Sequence, residues 1–327
     1  MNSKIRWGIL GLGNIAHNFV QDLLIVEDAE LTAVASRSID KAKSFSKQYG
    51  SKYGFGSYQE LFECKDVDAV YIATPHTHHA ELSIQAMDHG KHVLCEKPMG
   101  TNGNEVKKMI VSAKKNKVFL MEALWSRFNP TIQSVKQMVN TGTIGEIKYI
   151  HADFAFYALD RDEKGRILNP DLAGGTLLDI GIYPIFLAYL LLGKPRHVQA
   201  SSKFYATGVE IQTAMIFEYE SAHAVLYSGL NSKSEMKAEI SATNGTIHIH
   251  PRWHEAQGFS IEMNDSIKVI DKPTMGKGYY HEIQEVHSCL RNNMLESKIW
   301  SHQNSIDLID LLDKVRGLTG VKFPFEK

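Results

Sequence analysis

The segment Ile5-Arg6-Trp7-Gly8-Ile9-Leu10, followed at once by Gly11-Leu12-Gly13-Asn14-Ile15-Ala16, constrains the fold more than any other stretch of the chain. The first part predicts a buried strand. The second is a G-x-G-x-x-A turn that opens a helix through about residue 24. Gly11 admits the tight turn, Gly13 lets backbone come close to a pyrophosphate, and Ala16 lets helix and strand pack closely. Asn14 and Ile15 then begin the helix whose N-terminus faces the anion. A strand, turn and helix in this order imply the first half of a dinucleotide-binding unit.

The alternation continues. A strand at 30–35 ends in Ser36-Arg37-Ser38, where an NAD-specific site usually carries an acid for the ribose 2′-hydroxyl. An acid would repel a 2′-phosphate, whereas Arg37 can pair with one, with Ser36 and Ser38 donating and Lys41 nearby. NADP is therefore expected over NAD, although Ser36 or Ser38 could equally cap the helix at 39–49. The strand at 69–73 ends in Thr74-Pro75-His76-Thr77-His78-His79. Thr74, Pro75 and His76 suit the nicotinamide side of a cofactor site, and His79 is expected among the cofactor-binding residues. Adjacent histidines diverge and no carboxylate or cysteine lies at ligand spacing, so a metal is not expected.

The next apolar run, His92-Val93-Leu94-Cys95, stops at Glu96-Lys97-Pro98. Ligands in open α/β sheets gather at the carboxyl ends of strands, and a lysine placed there is partly desolvated, which favours proton exchange near neutrality. Glu96 orients the amine and Pro98 restricts the backbone of Lys97. The plainer reading of Glu-Lys-Pro alone is a surface loop lysine. A helix at 104–116 and a strand at 118–123 complete a doubly wound parallel sheet, and the expected boundary places a Rossmann domain at 1–123 and an α/β domain at 124–327. Trp125 and Arg127 follow the boundary, as a packed hinge or as a wall of the site.

Strands expected at 147–156, 197–205, 210–219, 222–230, 237–242 and 246–250, with a turn at Asn244-Gly245, describe an open, mostly antiparallel sheet. One face should meet helices and the other a second subunit. His248, His250 and His254 read as ordinary strand and loop residues. Gly174-Gly175 leads into an apolar helix with Asp179 and Tyr183 four apart on one face. A tyrosine next to a lysine ammonium is suited to exchange a proton with an alcohol. The plainer alternative is a core tyrosine and a capping aspartate. Helices at 280–294 and 302–319 close the chain.

Composition narrows the partner. The 327 residues carry 36 Lys+Arg against 37 Asp+Glu, a net charge of -1, which gives no electrostatic case for nucleic acid or an anionic membrane. A small molecule is expected instead. The 3 cysteines make neither a disulfide framework nor a zinc site. Met1-Asn2-Ser3-Lys4 runs straight into a strand without the apolar core and cleavage site of a signal peptide, so none is expected. The longest apolar run, 180–192, contains Pro184 and is shorter than the roughly 18 residues of a membrane span. The expected compartment is the cytoplasm.

Taken together, the chain resembles the glucose-fructose oxidoreductase, inositol dehydrogenase and MocA family over nearly its full length. The resemblance rests on Gly11-Leu12-Gly13-Asn14-Ile15-Ala16, Ala73-Thr74-Pro75-His76 with His79, Glu96-Lys97-Pro98, and Gly174-Gly175 with Asp179, Gly181 and Tyr183. Through Glu122-Ala123-Leu124-Trp125-Ser126-Arg127-Phe128 and the residues around Tyr183 it is most similar to the dimeric dihydrodiol dehydrogenase and NADP-dependent xylose dehydrogenase branch. The resemblance implies hydride transfer between NADP and a CH–OH group of a sugar, polyol or dihydrodiol. It also implies proton transfer by Lys97 and Tyr183 and a homodimer, or a higher assembly, formed through the C-terminal sheet. Inositol-type members carry histidine at Tyr183 and an acid near Phe186 or Leu187, which argues against inositol. Two rivals remain: a cofactor-occupied sensor without turnover, and tightly bound NAD that cycles internally between redox states.

Overall fold

The computed structural model describes residues 3–326 and divides into two units, residues up to Trp125 with Met275–Ile306, and Ser126–Thr274 with Asp307 onward. In the first unit, β1 (Ile5–Leu10), β2 (Ala29–Ala35), β3 (Tyr53–Phe55), β4 (Ala69–Ile72), β5 (His92–Glu96) and β6 (Leu120–Ala123) form a parallel sheet in the order β3-β2-β1-β4-β5-β6. This order reverses direction between β1 and β4, where doubly wound sheets bind ligands. β4 is buried throughout and β1 and β5 nearly so, as expected of strands covered on both faces. The connecting helices are α1 (Asn14–Leu23), α2 (Ile39–Tyr49), α3 (Tyr58–Glu63), α4 (His79–Asp88) and α5 (Gly103–Asn116). Their starts are chemically marked: Ser57 and Glu60 make a reciprocal capping box on α3, and Asn102 caps α5.

The expected boundary at 123 placed everything that follows in one domain. The segment Met275–Ile306 instead belongs to the first unit. It carries α8 (Tyr280–Arg291), and the indole Nε1 of the fully buried Trp7 donates to His287 Nε2 at 3.0 Å. An indole only donates, so His287 accepts there and its Nδ1 proton goes to Asp28 Oδ1 at 2.9 Å.

The second unit is built on a sheet of β7 (Ile147–Ala155), β8 (His197–Phe204), β9 (Glu210–Glu218), β10 (His223–Gly229), β11 (Ala238–Ala242), β12 (Gly245–Ile249), β13 (Gly258–Met263) and β14 (Ser266–Asp271). Its order is β14-β13-β12-β11-β7-β10-β9-β8, antiparallel except for the parallel pair β7 and β10. Helix α6 (Pro130–Asn140) precedes the sheet, α7 (Ile182–Leu192) packs against β7 and β10, and α9 (His302–Thr319) ends the chain's helices. Pro170–Leu192 is a longer apolar segment than the run read at 180–192, and by length and composition alone it could cross a membrane. Most of it is buried within the protein, and all of Ile182–Ala188 is core.

Candidate active site

In the first unit the expected cofactor residues lie at or just after the carboxyl ends of β1, β2, β4, β5 and β6, as far as the first turns of the helices they open. Gly11 has φ +83, and a Cβ there would meet the Ala73 carbonyl oxygen at 2.6 Å, so the turn after β1 is fitted against the end of β4. Gly13 differs. It caps α1 with no side-chain hydrogen bond, and a Cβ on it would meet nothing within 4 Å. Beside it Asn14 is exposed and Ile15 half-buried. An uncapped helix N-terminus over open space fits a phosphate approaching the backbone amides. The two glycines therefore separate experimentally. Gly11→Ala is expected to destabilise the fold by more than 1 kcal/mol, about the scale of a strained φ alone. Gly13→Ala should shift thermal stability by less than about 1 kcal/mol and weaken dinucleotide binding, as read by fluorescence titration.

After β2, Ser36 is buried and Arg37, Ser38 and Lys41 are exposed. Ser38 Oγ accepts from Lys41 N at 3.3 Å and caps α2, while Ser36 Oγ accepts from Ser38 N at 3.3 Å. The serines thus set the local backbone and leave Arg37 and Lys41 as the exposed cations. After β4, Thr74 and Pro75 are half-buried and His76 is buried. The buried Oγ1 atoms of Thr74 and Thr77 have no hydrogen-bond partner among the described residues, which fits a polar ligand at this strand end.

His79 is fully buried and joins two loops: Nε2 lies 2.9 Å from the Thr74 carbonyl oxygen and Nδ1 2.8 Å from that of Pro98. Burial pushes it down to about 4, so at neutral pH it donates from one ring nitrogen only. Lys97, half-buried, follows β5 and is joined to Pro98 by a cis peptide. Its amide donates to Glu96 Oε2 at 3.2 Å, and the phenol of Tyr71 donates to Glu96 Oε1. Burial, together with the Glu96 charge, holds Tyr71 well above the usual phenol range, so it stays a donor. Glu122, which the sequence did not mark as functional, supports the same loop. Its Oε1 accepts from Met99 N at 2.9 Å and its Oε2 from Trp300 Nε1 at 3.0 Å and Ser305 Oγ at 2.7 Å. Trp125 is buried and stacks on Tyr279 with centroids 5.1 Å apart.

In the second unit, Arg127 is buried at the short turn before α6, and its carbonyl accepts from Gln133 Nε2 at 3.0 Å. Asp179 lies in a π-helical turn, Leu177–Gly181, and Tyr183 in the first turn of α7. Such turns are common at functional sites. Both side chains are buried, and Arg166 Nη1 donates to Asp179 Oδ1 at 2.8 Å. The Tyr183 ring lies 5.4 Å from Phe154 and 5.3 Å from His254, which itself stacks on Phe154 at 4.2 Å. The sequence alone marks His254 as an ordinary loop residue. Pro251 does end the strand, yet the bulky pair Trp253-His254 just after it is buried, and that unusual aromatic content was the one available signal. Among the described residues no group of three or more His, Cys, Asp or Glu side chains could hold a metal ion.

Comparison with known proteins matches both halves of the chain. Residues 5–124 match the model of an oxidoreductase family with an NAD-binding Rossmann fold, and residues 132–248 match the GFO/IDH/MocA C-terminal domain. The chain is 33% identical to the trans-1,2-dihydrobenzene-1,2-diol dehydrogenase of Mus musculus, covering 99% of both chains. It is also 33% identical to a scyllo-inositol 2-dehydrogenase (NADP(+)) of Bacillus subtilis, again over 99% of each. Among solved structures, a 3-ketoreductase from Actinomadura kijaniata in complex with NADP and TDP-benzene superposes with a TM-score of 0.88 at 27% identity, covering 97% of this chain and 98% of that one. An aldose-aldose oxidoreductase from Caulobacter crescentus gives 0.88 at 25% identity over the same shares. With both of its domains matched and relatives aligned along almost its whole length, the chain belongs to the GFO/IDH/MocA oxidoreductase family.

Proposed function

We propose that this protein is an NADP(H)-dependent oxidoreductase that interconverts CH–OH and C=O on a sugar, polyol or dihydrodiol. The observation that carries the reading is the uncapped N-terminus of α1 at Gly13, on a chain similar along its length to dehydrogenases. Bound NADP supplies or accepts the hydride. Gly11, Gly13, Asn14 and Ile15 hold its pyrophosphate, Arg37 and Lys41 with Ser36 and Ser38 its 2′-phosphate, and Thr74, Pro75, His76, His79 and Glu96 flank the nicotinamide end, with Trp125 and Arg127 as further binding residues. Tyr183 exchanges the hydroxyl proton at its phenolic oxygen, Lys97 holds the substrate oxygen through Nζ, and Asp179, kept in place by Arg166, orients a neighbouring hydroxyl.

Titration of the apoprotein with NADPH and NADH, followed by assay against aldoses, cyclic polyols and dihydrodiols, tests the reading. Inositols belong in that panel despite Tyr183, because the Bacillus subtilis relative is a scyllo-inositol dehydrogenase. Tight NADPH binding with turnover is expected, and tight binding without turnover of any member would make the protein a sensor. Arg37→Asp should weaken NADPH by about 1.5–3 kcal/mol, the worth of a hydrogen bond to a charged group, while sparing NADH. A preference for NADH in the unmutated protein would overturn the role of Arg37.

The aldose-aldose oxidoreductase favours a second reading, in which one sugar is oxidised and another reduced on a cofactor that never leaves. Nucleotide that survives gel filtration and is released only by denaturation would select it. The same proposal includes a homodimer formed through the exposed face of the second sheet. Register places Gln199, Ile216, Val225, His151, Glu239, His248, Ser260 and Val269 in one row across all the strands, and Ile216, Val225 and Val269 in it are exposed. Sedimentation of the intact protein checks it, a monomer being the contrary result.

A further inference from the structure

We infer that Glu210 is a positioning residue for the reaction, holding from strand β9 the turn that carries Asp179 and leads into α7, where Tyr183 lies. The inference rests on the roles proposed above for those two side chains.

Glu210 opens β9 and is 1% exposed. Its Oε1 accepts from the amide of Leu177 at 2.8 Å, and Leu177 is the first residue of the π-helical turn that contains Asp179. That turn has no side-chain cap of its own, so the cap comes from a strand more than thirty residues further along. The fit is close. Gly175 has φ +116, and a Cβ on it would lie 2.3 Å from Glu210 Oε2 and 2.4 Å from Oε1. The second glycine of Gly174-Gly175 therefore leaves room for this carboxyl group. The first serves the opposite side. A Cβ on Gly174 would meet the carbonyl oxygens of Asn169 and Ile167 at 2.7 Å and that of Arg166 at 2.9 Å. The loop that delivers Arg166 to Asp179 and the carboxyl group of Glu210 thus press on adjacent glycines, and the turn is set between them.

The contact is also incomplete. Glu210 Oε2 is buried and has no hydrogen-bond partner among the described residues. Burial pushes the carboxyl up to about 7, against the Leu177 and Thr176 amides, its own backbone amide and the positive charge of Arg316. Arg316, on α9, is a charged side chain acting on it and is itself paired with Asp313 and Glu326. Because burial outweighs these partners, the neutral acid is the form the closed turn favours, and ionisation as pH rises toward neutrality costs more there than in an opened turn, so the grip on the turn loosens over that range.

The test compares the unmutated protein with Glu210→Ala and Glu210→Gln, in kcat and KM across neutral pH, NADPH affinity, and amide exchange of 174–183 by mass spectrometry. Glu210→Ala should lower kcat about tenfold, the effect of one such hydrogen bond, with NADPH affinity unchanged and exchange in 174–183 accelerated. Glu210→Gln keeps an acceptor but cannot ionise. It should restore most of kcat and of the protection, yet remove the step near neutrality from both the kcat profile and the exchange profile corrected for intrinsic rate. Unchanged kcat and exchange in Glu210→Ala would overturn the inference, as would a step that persists in Glu210→Gln. If Glu210→Ala fails to fold, the glutamine variant decides through the step alone. A protein that turns over no panel substrate would sink the proposed function, while the exchange profiles would still decide the role of Glu210.

Discussion

Tyr183→Phe and Lys97→Met are each expected to lower kcat by about two to four orders of magnitude, the contribution typical of positioned acid–base groups, while NADPH affinity and thermal stability stay close to those of the unmutated protein. Tyr183→Phe removes one oxygen and keeps the ring that packs against Phe154 and His254, so the core of the second unit is preserved. Lys97→Met keeps an unbranched side chain of similar reach, and the backbone at this position remains held by Glu96 through the Lys97 amide. The loss should therefore fall on kcat and not on folding. Single-turnover measurement with NADPH already bound separates chemistry from cofactor binding. Full activity in Lys97→Met would remove the lysine from the mechanism, and a KM effect with kcat intact would reduce both residues to substrate binding.

The parts of this site that were legible in the sequence are local ones. The turn after β1, the strand that stops at Glu96 and the apolar helix around Tyr183 each declare themselves within a few residues, because strand ends, glycine turns and apolar runs are short-range properties. Ser38 was legible both as a phosphate donor and as a cap, and the cap is what the structure displays. What sequence did not disclose is long-range. Glu210 meets Leu177 across thirty-three positions, and Glu122 meets Ser305 across 183. Glu210 stands in no motif, the motif that begins at Glu122 says nothing of that residue's partners, and a buried glutamate looks like a surface one until they are known. Strands β13 and β14 escaped for a different reason. β14 is exposed at nearly every position and so lacks the alternation that marks a half-buried strand. The parallel pairing of β7 with β10 was equally hidden, since strands joined through intervening elements can adopt either direction.

Another long-range feature is the one whose removal should cost the fold most. Asp22→Ala is expected to destabilise the protein by about 3–5 kcal/mol, the range for stripping a buried charged group from its partners. Asp22, on α1, is 1% exposed. Its carboxylate accepts from Lys277 N at 2.7 and 3.0 Å, Tyr279 N at 2.8 Å and Tyr280 N at 3.0 Å. These amides form the start of α8, whose N-cap Tyr279 supplies no side-chain hydrogen bond, so Asp22 is the cap, contributed from 255 to 258 positions earlier. Removal would leave three amides without their acceptor, each costing about 1–3 kcal/mol where water cannot replace it, and would take a negative charge from a helix N-terminus. Gly276 is shaped to the same contact, with φ +61 and room for no Cβ, which would lie 2.1 Å from Asp22 Oδ1. Gly276→Ala should therefore destabilise in the same direction, and Asp22→Asn, which keeps one acceptor oxygen, by less than Asp22→Ala. Thermal unfolding ranks the three variants, and amide exchange tells where the loss falls. If Asp22 is the tether, protection disappears first from 275–291, which would free the segment that the first unit holds against Trp7 through His287. Uniform loss of protection across the first unit, with 275–291 no worse than the rest, would mean that α8 is held by its apolar face and that the cap is incidental.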